Sequence, residues 1–87
     1  MEKENIYDGL RDKLNELDWP SIYMFKFISP HDKADELTDI LSDIEYTYKP
    51  SRTGKYISIT STVMMDSPEE IIAIYIQASK IEGVIAL

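Results

Sequence analysis

Residues 44–65 read IEYTYKPSRTGKYISITSTVMM, and this stretch decides the fold. Apolar and polar side chains alternate along residues 44–49 and again along residues 56–65, which predicts two β-strands that each bury one face. The proline and glycine of residues 50–54 are typical of a short connecting loop. The side chains expected to face the core are Ile44, Tyr46, Tyr48, Ile57, Ile59, Val63 and Met65. The stretch therefore predicts a β-hairpin with one buried face.

A helix is predicted on each side of this hairpin. After it, residues 67–70, SPEE, form a capping box at the start of one helix, and Gly83 is expected to end that helix. Before it, Ser29 as N-cap and Pro30 at the first helical position predict the start of the other. The buried stripes are predicted to comprise Ala34, Leu37, Ile40 and Leu41 in the first helix and Ile71, Ile74, Tyr75, Ala78 and Ile81 in the second.

The outer segments complete the pattern. Residues 22–28, IYMFKFI, predict a buried central strand, and residues 84–87 predict a short final strand. The order βαββαβ predicts an α+β, ferredoxin-like fold, with a four-stranded antiparallel sheet of order 4-1-3-2 and two helices on one face. An extra helix over residues 5–17 is predicted from the apolar stripe Ile6, Leu10, Leu14 and Leu17. We therefore expect an N-terminal helical extension, residues 1–20, followed by the ferredoxin-like domain, residues 21–87.

The composition favours one cytoplasmic domain. A chain of 87 residues can form only a single core, and its lack of cysteine excludes disulfides, thiol catalysis and CxxC metal sites. The longest apolar run is too short to span a membrane, and the charged N-terminus does not resemble a signal peptide. The net charge of −7 opposes binding to nucleic acid or anionic membranes. Only residues 44–55 are positive, with three basic side chains and one acidic.

Residues 49–58, KPSRTGKYIS, carry the most specific part of a family resemblance. This KPSxxGxYxS pattern, together with KLNEL at residues 13–17, the following Trp-Pro, Lys26 and the ending GVIAL, resembles the YbeD-like family of small bacterial proteins of unknown function. The resemblance covers about residues 13–87. It implies a ferredoxin-like domain similar to the ACT regulatory domains of amino-acid metabolism. It implies no established activity, substrate or catalytic residue.

The basic loop is the leading candidate for a binding site. The residues expected to contact a small anionic ligand or an acidic protein partner are Lys26, Lys49, Ser51, Arg52, Lys55 and Ser58. The alternative is a solvated turn, in which Pro50 and Gly54 shape the loop while its charges keep an exposed hairpin soluble.

Two apolar surfaces are candidates for contacts with a partner. Ile72 and Ile76 lie off the main stripe of the second helix, so they form either the margin of the core, beside a neighbouring helix, or a dimer surface. Residues 22, 24 and 28 are expected to point out from the sheet face that has no helices. Either the N-terminal helix or a second subunit is expected to cover them. RNA-binding domains of this topology place aromatic side chains there, whereas this chain has serine and threonine, so RNA binding is not expected.

No catalytic residue, cofactor or metal site is predicted. His31 is the only histidine, and with Asp32 it supports a rival reading as a small hydrolase or transferase, although an exposed first-turn residue is the simpler interpretation. The sequence thus favours a non-catalytic regulatory or adaptor domain. A purely structural dimerisation module is the remaining alternative.

Overall fold

The computed structural model describes residues 7–42 and 44–87. The described elements are helix α1 (Asp8–Leu14), strand β1 (Ser21–Pro30), a 3-10 turn (His31–Lys33), helix α2 (Ala34–Ile40), strands β2 (Thr47–Pro50) and β3 (Tyr56–Met65), helix α3 (Pro68–Ser79) and strand β4 (Ile85–Ala86). They form an α+β fold with a four-stranded antiparallel sheet, as predicted. The strand order is β2-β3-β1-β4, which is 4-1-3-2 when it is read from the other edge.

The centre of the sheet is the long pair of β1 and β3. These strands pair along their whole length, from Ser21 opposite Met65 to Pro30 opposite Tyr56. By contrast, β4 pairs only with Phe27 and Ile28 of β1. The first half of β1 therefore has β3 on one side and, among the described residues, no strand on the other.

Alternation along the strands separates a buried face from an open face. Phe25, Phe27 and Ile59 are fully buried beneath α2 and α3, as the sequence pattern predicts. Helices α2 and α3 contribute Leu37, Ile71, Ile72 and Ala78 to the same cluster, and Leu41 joins it from the position directly after α2. Since burial of apolar area contributes roughly 25 cal/mol per Å², this single cluster is the main source of stability.

Helix α1 packs on the helix side of the sheet. Leu14 is buried in the core cluster, and Arg11 reaches α3, where its Nε donates to Glu69 at 3.0 Å. The expectation that this helix covers the open face is therefore wrong for the residues that the structure describes. The sequence pattern predicts Leu17 on its apolar stripe, but the helix ends at Leu14 and Leu17 is 48% exposed. Ile6 lies outside the described residues.

The predicted start of α2 at Ser29 and Pro30 is wrong, because pairing with β3 extends β1 through both residues. The Ser29 hydroxyl is buried and donates to the Pro30 carbonyl rather than capping a helix. A 3-10 turn then separates the strand from α2. Strand pairing across ten residues outweighs a local capping signal worth about 1 kcal/mol.

Helix α3 begins as predicted and ends earlier than predicted. Ser67 is its N-cap and accepts from the Glu70 amide, while the Glu70 carboxylate accepts from the amide of Asp66. The helix ends at Ser79, so Gly83 lies in the turn before β4 instead of at the helix terminus. Glycine is needed there for two reasons: its φ is +86°, and a Cβ would lie 2.7 Å from Cγ of Pro30.

Strand β2 is shorter and more exposed than the alternation predicts. It begins at Thr47, three residues after Ile44, and Tyr48 is exposed although it lies opposite the buried Ile59. Tyr46 is also exposed. Both tyrosines border an open concavity of about 240 Å³ beside α2, so the inward side chains of this edge strand receive only partial cover. No described helix is long and apolar enough to cross a membrane.

Candidate functional site

The loop between β2 and β3 is closed by its own hydrogen bonds. The Ser51 amide donates to the Tyr56 carbonyl at 2.8 Å, and the Tyr56 amide donates to the Ser51 hydroxyl at 3.2 Å. Gly54 donates its amide to the Ser51 carbonyl at 3.0 Å and adopts a φ of +78°, which favours glycine. Ser51 therefore holds the two ends of this loop together through three hydrogen bonds.

Ser58 has a similar supporting role one step along β3. Its hydroxyl donates to the Lys49 carbonyl at 3.4 Å. Three members of the KPSxxGxYxS pattern, Ser51, Gly54 and Ser58, thus shape the hairpin. The remaining side chains, above all Lys49, Arg52 and Tyr56, are left to face outward.

These outward side chains surround a shallow groove, which we call the basic groove. It has a volume of about 500 Å³ and is lined by Ile28, Lys49, Pro50, Ser51, Arg52, Tyr56 and Ser58. Two cations therefore stand beside an apolar floor formed by Ile28, Pro50 and Tyr56. Such a surface favours an anionic group attached to an apolar one.

Lys26 joins this site from the centre of the sheet. Lys26 and Lys49 line a second concavity of about 260 Å³, together with Ser58 and Thr60. The two lysines lie on β1 and β2 with β3 between them, a lateral separation of about 10 Å. An anion placed above the hydroxyls of Ser58 and Thr60 would therefore be within reach of both ammonium groups.

The charges of the sheet are unusual in their sign. The four strands contain two charged side chains, Lys26 and Lys49, and the alternation places both on the open face. The acidic residues that the structure describes lie in the helices, turns and loops, with Glu45 lining a neighbouring groove at the edge of the open face. The open face is therefore locally cationic on a chain whose net charge is −7.

Lys55 is the predicted site residue that the structure separates from the others. It does not line the basic groove; instead its carbonyl accepts from the His31 amide at 2.9 Å, which joins the loop to the 3-10 turn. His31 and Asp32 themselves are exposed on that turn. Among the described residues, no group of three or more His, Asp or Glu side chains is placed to hold a metal ion.

The two isoleucines proposed as a dimer surface lie inside the molecule. Ile72 is 2% exposed and belongs to the core cluster, and Ile76 is partly buried against it. Their cover comes from within the chain, where α1 packs on α3. The burial of both residues agrees with the alternative interpretation, a margin of the core beside the N-terminal helix or the first core helix.

The sequence reasoning missed two features. Met64 is 56% exposed on the open face directly opposite Ile22, and its position follows from alternation with the buried Met65. On the buried face, the hydroxyls of Tyr23 and Tyr75 share a hydrogen bond of 2.8 Å. Burial is the main cause that raises the pKa of Tyr75 far above its usual value, and the hydrogen bond to Tyr23 raises this pKa further. Sequence shows no signal for this pair, since the partners are 52 positions apart.

Comparison with known families identifies the chain at the level of family. Residues 15–87 match DUF493, a family described as a protein of unknown function. The chain belongs to this family, and the YbeD-like resemblance is consistent with it. No curated protein and no solved structure matches the chain.

Proposed function

We propose that this DUF493 protein is a non-catalytic binding domain, regulatory or adaptor in role, that holds an anionic group in the basic groove. The observation that carries the proposal is the position of the charges: both charged side chains of the sheet lie on the open face, where Lys49 lines the basic groove and Lys26 joins it in the adjoining concavity. Arg52 adds a third cation from the loop. A carboxylate or phosphate seated there forms charge-assisted hydrogen bonds, which are stronger than neutral ones.

The groove also defines what accompanies the anion. Ile28 and Tyr56 form part of its wall, so a ligand that carries an apolar or aromatic group beside its charge gains from both. The ligand is either a small anionic metabolite or an acidic segment of a partner protein. Both sources present the same chemistry to the groove.

The fold supports a regulatory role. The element order and the strand order 4-1-3-2 agree with a ferredoxin-like, ACT-like domain, the resemblance that suggests regulation. A fold does not determine function by itself, so the charged open face carries the proposal. His31 and Asp32 are exposed on the 3-10 turn, and the described residues include no cluster of three or more His, Asp or Glu side chains that could hold a metal ion beside them. A cytosolic location completes the proposal, since the chain has no cysteine.

Thermal-shift measurements on the whole chain test this proposal. The probes are amino acids, nucleotides, phosphorylated sugars and a short poly-glutamate peptide, each at low ionic strength. We expect at least one probe to raise Tm by a few degrees, because a ligand that binds only the folded state stabilises it. We expect the shift to shrink in 0.5 M NaCl, since salt screens exposed charges.

The double variant Lys49→Ala with Arg52→Ala should abolish the shift. Lys55→Ala is the matched control, because it removes a cation of the same hairpin that does not line the groove. A response to metabolites but not to poly-glutamate would identify a small ligand, and the reverse result a protein partner. No response to any probe, or a response that the double variant retains, would refute the proposal.

A further inference from the structure

The open face carries an exposed apolar patch at the end opposite the basic groove. We define the apolar patch as Ile22, Met24 and Met64, whose side chains are 66%, 59% and 56% exposed. Ile22 lies directly opposite Met64, and Met24 is the next open-face residue of β1. Facing pairs across antiparallel strands bring their Cβ atoms to about 5 Å, so the three side chains form one continuous surface. Contiguous exposed apolar surface of this kind is typical of an interaction site.

The patch and the cationic centre lie in line along β1. Lys26 follows Met24 by one open-face position, and Ile28 of the basic groove follows Lys26 by one more. From Ile22 to Ile28 the strand rises about 20 Å. Anything that covers the open face therefore meets apolar side chains first, then lysine ammonium groups, and then the apolar floor of the groove.

A second copy of this chain is a poor occupant of that face. Two open faces packed together would enclose Lys26 and Lys49 of both copies, four ammonium groups against the two Glu45 carboxylates at the edges of the faces. Enclosing like charges without partners is strongly unfavourable. Packing the open face on the acidic helix side of another copy satisfies the charges, but it is a head-to-tail contact that leads to rings or open chains.

We propose that the open face is a docking surface for an acidic, amphipathic segment of a partner protein. The segment places apolar side chains on the apolar patch and carboxylates at Lys26 and Lys49. A span of about 20 Å corresponds to an extended segment of about six residues or a helix of about thirteen. This inference rests on the proposed function at Lys49 and extends it by committing to a protein partner.

Selection from a phage-displayed library of random 16-residue peptides, with the whole chain as bait, tests the docking surface. We expect the selected peptides to combine at least two carboxylates with at least two large apolar residues. The affinity of one synthetic selected peptide is then measured by fluorescence anisotropy. The double variant Met24→Thr with Met64→Thr should weaken it at least tenfold, and Lys26→Ala severalfold.

Leu17→Thr is the control, because Leu17 is 48% exposed but lies outside the four strands and lines neither concavity of the open face. Its affinity for the peptide should change less than twofold. Circular dichroism should show the same folded spectrum for all variants, since each replaced side chain is exposed.

The two proposals fail in different ways. If the selected peptide loses affinity in the Lys49 and Arg52 double variant but not in the patch variant, the docking surface is refuted and the basic groove stands. If only the patch variant loses affinity, the groove is refuted as the anchoring site. Failure to select any peptide, or selection of peptides without carboxylates, also refutes the docking surface. Dimers in sedimentation that the patch variant abolishes would show that a second copy covers the face instead.

Discussion

Two neighbouring methionines show how differently the two faces of the sheet are used. Met64 is 56% exposed on the open face, whereas Met65 is 6% exposed beneath the helices. Both residues are methionines of strand β3, and they differ only in the face of the sheet from which the side chain projects. The contrast teaches that hydropathy alone does not determine burial in this domain. Burial follows the helices, and all three described helices lie on one side.

The same contrast holds for charge. The helix side carries carboxylates around its rim, among them Asp35 and Glu36 in α2 and Glu69 and Glu70 in α3. The open face carries lysines on its strands. The domain therefore has one face that holds the core and another that the described helices leave uncovered.

Met65→Thr should produce the largest loss of stability. The substitution leaves space in the core cluster and buries a hydroxyl, so we expect a loss of about 2 to 4 kcal/mol in the free energy of unfolding. Urea denaturation followed by circular dichroism measures it. A loss below about 1 kcal/mol would mean that the core relaxes around the substitution far more than a close-packed interior does.

Tyr75→Phe should have an intermediate effect that depends on pH. Near pH 7 it leaves the Tyr23 hydroxyl without its partner, at a cost of about 1 kcal/mol. In the folded wild type the pKa of Tyr75 is raised above the unfolded value near 10. The unfolded chain therefore loses this proton first, and the contribution of Tyr75 to stability declines as pH rises above about 10.

The measurement is the free energy of unfolding of both proteins from pH 7 to pH 11. The difference between wild type and Tyr75→Phe should narrow above pH 10. A gap that stays constant or widens would contradict the burial of this phenol.

Met64→Thr should have the smallest effect, within about 0.5 kcal/mol, because surface substitutions away from special features rarely exceed that. It is the matched partner of Met65→Thr, since the same two residue types are exchanged at adjacent positions. Parallel urea titrations compare them. Equal losses of unfolding free energy in the two variants would contradict the conclusion that one face of the sheet is buried and the other is exposed.

Much of the fold could be predicted from local patterns. Alternation located β3, and the capping box located the start of α3, because these signals act within a few residues. The errors arose where contacts between residues that are distant in sequence determine the local structure. Pairing with Tyr56 keeps Pro30 in a strand, and the position of Pro30 in turn requires glycine at residue 83.

The candidate site could be predicted in part. Strand adjacency brings Lys26, Lys49 and Ser58 together, as alternation implies. The exclusion of Lys55 depends on the direction that the loop takes after Gly54, which is set by hydrogen bonds to Ser51. Composition and spacing do not encode that direction.

The shortness of β4 should be visible in amide hydrogen exchange. The Leu87 amide donates to the Lys26 carbonyl, so the even-numbered residues of β1 direct their backbone groups towards β4. Because β4 pairs only near Phe27 and Ile28, the amide of Met24 meets no described strand, while that of its neighbour Phe25 faces β3. Protection from amide exchange should therefore alternate from residue to residue along residues 21–25. Amides that face β3 should exchange slowly, and amides that face the unpaired edge of β1 should exchange fast.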